Sequence, residues 1–195
     1  MRLSSILIIV FILSCSALKA QVWHNQLPVS FGINSGGSTL AQNLGMNGIG
    51  WNIQASYLHL VVEDDLFLKG SVGYLRQPSS VSSDFSVSMA SGTVGVHYVL
   101  GTKTYQPYVG IDIGFAGTSN TFGVPSALNS SHGLIRFNAG MVLDLARFLY
   151  NNQIKNSSIA RHLDPFISAH YSVLTGNNAP IFFGVNIGVN VRLTD

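Results

Sequence analysis

Charge is scarce in this chain. Aspartate, glutamate, lysine and arginine together make up 9% of its 195 residues, where a soluble domain carries about a quarter. That is too little to cover a water-facing surface. Cysteine is nearly absent: the one residue, Cys15, falls in the N-terminal leader-like segment, so neither a disulfide framework nor a thiolate metal site is expected. Glutamate occurs once, at Glu63. Beyond the N-terminus no apolar run approaches the roughly 18 residues that a spanning helix needs. Setting aside Arg2 and Lys19, eight basic residues face eight acidic ones, which removes any electrostatic case for binding nucleic acid.

Apolar residues and glycine are what the chain has in quantity. Hydrophobic side chains reach 47%, and there are twenty glycines. Lipid satisfies no backbone hydrogen bonds, so an apolar chain without spanning helices must close its strands into a barrel. Residues 1–20 stand apart. Arg2 precedes an apolar core from Ile6 to Leu13, and Ala20 offers a small residue before Gln21: the pattern of a secretory signal peptide. The domain organisation expected is therefore a signal peptide at 1–20 and one barrel at 21–195.

Alternation of period two runs through the remainder. The last stretch, IFFGVNIGVNVRL at 181–193, places Phe183, Val185, Ile187, Val189 and Val191 on one face, and Gly184, Asn186, Gly188, Asn190 and Arg192 on the other. Similar segments are read at 27–34, 48–61, 66–75, 107–117, about 134–145 and 165–176. The segment at about 85–100 changes phase, with Phe85, Val87 and Met89 on one parity and Val94, Val96 and Tyr98 on the other, which predicts a bulge near residues 90–93. The expected fold is all-β, an eight-stranded antiparallel up-and-down transmembrane β-barrel. Short turns at 63–65 and 101–106 would face the periplasm, and the longer polar loops at 35–47, 77–84 and 118–131 would face outward. The polar face consists of small neutral residues, which suits a crowded interior better than the solvated exterior of a lipocalin-like barrel.

These alternating strands, with PYVGIDIGFAG at 107–117 and the closing FFGVNIGVNVRL, resemble small outer-membrane β-barrels of the OmpA/OmpX kind, and most of all the outer-membrane β-barrel proteins of Bacteroidetes-type bacteria. The resemblance implies a location in the cell outer membrane, with lipid and other envelope proteins as its surroundings. Members often end in an aromatic residue; here Leu193 and a Thr-Asp tail stand instead.

Candidate functional residues form four groups. Lys69, Asp112, Arg136, Asp144 and Arg192 fall on the inward parity and are read as a polar network in the lumen. If paired positions in the fifth and sixth strands sum to 248, Asp112 lies opposite Arg136 and is expected to form an ion pair with it. Trp51, Tyr57, Tyr74, Tyr98, Phe115 and Phe183 are read as an aromatic girdle at the membrane interfaces. Arg147, Lys155 and Arg161 lie in the connection at 146–164, too long for a simple turn and a candidate docking element.

His170 and Ser172 form the fourth group. They echo the His-x-Ser of lipid A 3-O-deacylases, in which the histidine is base to the hydroxyl. No glutamate follows Glu63 to orient that histidine, however, and alternation turns both residues inward. The six histidines show no metal-ligand spacing on one strand face, so neither metal nor cofactor is expected. The function expected is a non-enzymatic outer-membrane barrel, structural or an accessory subunit of a cell-envelope complex. A lipid A-modifying hydrolase using His170 and Ser172, and a narrow pore, are the alternatives.

Overall fold

In a computed structural model the described residues are 25–36, 48–62, 66–78, 86–101, 104–120, 131–152, 162–175 and 181–193. They form β1 (Asn25–Gly36), β2 (Ile49–Val62), β3 (Leu66–Pro78), β4 (Ser86–Val99), β5 (Tyr105–Asn120), β6 (Ser131–Leu143), α1 (Leu145–Asn151), β7 (Leu163–Leu174) and β8 (Ile181–Arg192). Each strand pairs with the next, and β8 returns to β1, closing an antiparallel barrel without an edge. The leader-like segment and the turn at 63–65 lie outside the described residues.

Strand side chains alternate in and out around the whole barrel. Phe31, Ile53, Val72, Ile111 and Ile187 point outward and are exposed, while Ser30, Asn52, Ser71, Asp112 and Asn186 point inward and are buried. This is the reverse of a soluble barrel, and it makes sense only with lipid as the outer solvent. The strands run 12 to 16 residues, longer than the roughly 9–11 needed to cross the hydrocarbon, so their ends reach the headgroup zones. No described helix is long and apolar enough to cross a membrane; the strands do the crossing.

The fourth strand differs from its expectation. Its pairing with β3 runs without interruption from Leu66↔Tyr98 to Pro78↔Ser86, and its pairing with β5 is equally regular. No bulge occurs at residues 90–93. Val87 and Met89 instead point inward and are fully buried, so the change of polarity comes from an apolar patch inside the barrel. Phe85 lies outside the described residues. Among the described residues a register shift falls in β2 instead, between Leu60 and Val62.

A charge on the outer wall tests the inside-out assignment. Ile111→Arg, near the middle of β5, should destabilise the barrel by about 2–4 kcal/mol, whereas Ser119→Arg, near the loop end of the same face, should cost about 0–1 kcal/mol. Urea unfolding from phospholipid vesicles reads both. Equal, small effects would mean that Ile111 does not face lipid.

Candidate functional site: the barrel lumen

The interior is built in three layers along the barrel axis. At the end bearing the long loops sits an apolar plug of Leu75, Met89, Ala116, Leu134, Leu174 and Phe182, each at most 4% exposed. These six come from β3, β4, β5, β6, β7 and β8, so the plug spans the lumen from wall to wall. Above it, Asn34 Nδ2 donates to Gln77 Oε1 at 2.6 Å, and Gln77 Nε2 donates to the Gly48 carbonyl.

The middle layer is ionic. Lys69 Nζ donates to Asp112 Oδ2 at 2.9 Å and to His97 Nε2 at 3.3 Å. Asn138 Nδ2 also donates to Asp112 Oδ2, at 2.9 Å. Asp112 does stand opposite Arg136 in register, but the arginine turns elsewhere. Its Nε donates to Ser172 Oγ and its Nη1 to Gln54 Oε1, both at 3.0 Å. The ion pair of Asp112 is therefore with Lys69, two strands away rather than one. Glycine makes that reach possible. Gly95 lies between them, opposite Lys69 on one side and Asp112 on the other, and a Cβ there would come within 2.4 Å of Asp112 Oδ1. The same device places the His97 ring over Gly110, where a Cβ would meet it at 2.2 Å.

The third layer lines the rim at the end that carries the termini. Arg192 Nε and Nη2 meet Asp164 at 2.6 and 3.0 Å, and Nη2 lies 3.3 Å from Asp144. Asp144 Oδ1 also accepts from Arg147 N at 3.0 Å and so caps α1, as a short acidic side chain does before a helix. Asp164 Oδ1 accepts from Leu145 N at 3.2 Å. The helix lay unread within the long connection. Its signal was Asp144 followed by Leu-Ala-Arg-Phe-Leu, a cap residue ahead of good helix formers.

The remaining candidates fall as follows. Trp51, Tyr74, Phe115 and Phe183 lie on the outer wall toward the loop end, Tyr57 and Tyr98 toward the terminus end, all exposed. Phe31, Trp51 and Tyr74 form a continuous run, with ring centroids 6.4 and 5.5 Å apart. Arg147 is exposed on α1, whereas Lys155 and Arg161 lie outside the described residues.

His170 and Ser172 both point into the lumen and are buried. Ser172 Oγ is taken by Arg136, His170 Nδ1 has no hydrogen-bond partner, and the ring lies over Gly184. Beside His170 is a void of about 10 Å³, room for about one water and no more. Among the described residues, no three metal-ligating side chains are grouped to hold a metal.

The fold is that of the small eight-stranded outer-membrane barrels, in which a closed sheet with an apolar exterior spans the bilayer. Among solved structures the chain resembles Neisserial surface protein A, at 15% identity and a TM-score of 0.58, covering 88% of this chain and 97% of that one. It likewise resembles Ail, the attachment invasion locus protein of Yersinia pestis, at 12% identity and a TM-score of 0.54, covering 87% and 98%. The outer membrane enzyme PagL shares the fold at 12% identity and a TM-score of 0.51, covering 86% and 99%. Likeness at these identities speaks for the fold alone. No protein-family model and no curated protein matches the sequence.

Proposed function

We infer that the protein is a non-conducting, non-enzymatic barrel of the outer membrane, serving as a structural or accessory subunit of a cell-envelope assembly. The sealed lumen carries this reading. An apolar plug and an ionic layer lie in series across it, whereas a pore needs a continuous wet path. The lumen of eight strands is just wide enough for side chains to fill. Contacts with other molecules then fall to the outer wall, the loops and the connection after β6. The segments at 107–117 and 182–193 support grouping the chain with the outer-membrane barrels of Bacteroidetes-type bacteria.

A hydrolase needs its nucleophile open to substrate and its base within hydrogen-bond reach. Ser172 is 1% exposed and engaged by Arg136, and the adjoining void takes no acyl chain. These features count against carrying an enzymatic role over from the fold shared with PagL.

Three measurements test the reading together. Gently extracted native protein should run as a defined complex larger than the barrel in its detergent belt; a lone barrel would sink the accessory role. Planar-bilayer recordings should show no unitary conductance. Mass spectra of lipid A should be the same for wild type and for the His170→Ala/Ser172→Ala double variant; a change in acylation would restore the hydrolase.

A further inference from the structure

Below the ionic layer the lumen is not filled. A cavity of about 360 Å³ opens at the terminus end, the periplasmic side in the orientation of other outer-membrane barrels. That volume lies within the range of small-molecule sites. Its two walls differ. Leu58, Leu60, Phe67 and Val99, from β2, β3 and β4, form an apolar strip, while the facing side from β1 and β6–β8 is mostly polar. The register sets the depth: Leu60 pairs with Phe67, and Leu58 pairs with Lys69 one step further in. The floor thus carries an ammonium, and the strip leads from it toward the mouth.

The ionic layer above the cavity carries unbalanced charge. Lys69, at the floor, and Arg136, which lines the small void beyond it, are buried with Asp112 as their one carboxylate, and Arg136 holds neutral partners only. Buried charge without a counter-charge is costly. Lys69 uses two of its three N–H donors, on Asp112 and His97, and its side chain lines the cavity. At the mouth the carboxylates of Asp144 and Asp164 are already engaged by Arg192, and Arg147 adds a further cation. An anion entering there meets no net negative charge, two carboxylates standing against two guanidinium groups.

We propose that this cavity binds a small amphipathic anion, its carboxylate or phosphate head at Lys69 and its short apolar chain along Leu58, Leu60 and Phe67. The anion neutralises the surplus cation of the ionic layer, and the chain covers an apolar strip that otherwise faces water. Carboxylate and phosphate heads share this chemistry, and the probes below separate them. The proposal is independent of whether the barrel belongs to a larger assembly, because it concerns the isolated chain.

The test is equilibrium dialysis of octanoate, octyl phosphate and octanol against the full chain in phospholipid nanodiscs, with protein-free discs subtracted. Saturable binding of one anion per barrel is expected, with octanol at least about ten-fold weaker. Preference for octanoate or for octyl phosphate then names the head group. Lys69→Gln should weaken the anion by about ten-fold or more. Because that variant disturbs the ion pair, Val142→Trp is tested beside it: it fills the cavity from β6, leaves the ionic layer intact and should abolish binding. Heat-modifiable mobility on gels reports that each barrel is folded. No saturable binding to wild type, octanol binding as tightly as octanoate, or undiminished binding in folded Val142→Trp would each overturn the proposal.

Discussion

Asp112→Ala should be among the most destabilising single changes in this barrel, costing about 3–5 kcal/mol of unfolding free energy. The wild-type carboxylate is fully buried and accepts from Lys69 and Asn138 at 2.9 Å each. Its removal strands the Lys69 ammonium in a lumen that already holds the Arg136 guanidinium, with no anion left in the layer. The cost comes from the cation left behind more than from the bond lost, so removing both members should be far milder. Lys69→Met/Asp112→Ala should recover most of the loss, giving with the two single variants a coupling well above the roughly 0.5 kcal/mol expected of independent sites. Urea unfolding of the refolded barrel in vesicles measures the cycle. An Asp112→Ala cost under about 1 kcal/mol would show that water reaches the layer and screens it.

Phe182→Ala should cost about 3–5 kcal/mol, the usual toll of emptying a packed aromatic site. Phe182 is 1% exposed within the plug, whereas its neighbour Phe183 points into lipid at 53%. Phe183→Ala removes a contact that lipid tails refill, so it leaves no rigid void. The two variants, one residue apart, should therefore differ by at least about 1 kcal/mol in the same unfolding assay. Equal costs would mean that the plug is loosely packed. This contrast also separates a sealed lumen from one that merely narrows.

Alternation made the strands legible from residues alone, because lipid outside and small polar groups inside give opposite chemistry to successive positions. It failed where the interior itself is apolar. Val87 and Met89 look like lipid-facing residues by type, yet both are buried inside the barrel, Met89 in one apolar cluster with Leu75 and Phe182. Period two reports polarity, and polarity stops reporting direction inside a greasy plug.

The lumen charges were placed on the correct face for the same reason, but their partners were not legible. Register names the residue opposite, and Asp112 is opposite Arg136. Register says nothing of a long side chain reaching over a glycine, and Lys69 does that across Gly95. The cavity could not have been foreseen either. It depends on how far the side chains from all eight strands fail to fill one another's space.

The Arg192 clasp has a consequence for the order in which the molecule comes together. Asp144, Asp164 and Arg192 stand at the ends of β6, β7 and β8, and the last of them is on the final strand. The helix cap at Asp144 can form as soon as β6 and α1 exist, since it needs only Arg147 N three residues on. Its bond to Arg192 must wait until β8 has docked between β7 and β1. The lip of the cavity is thus a record of closure: a half-assembled sheet has its carboxylates in place and lacks the cation that ties them.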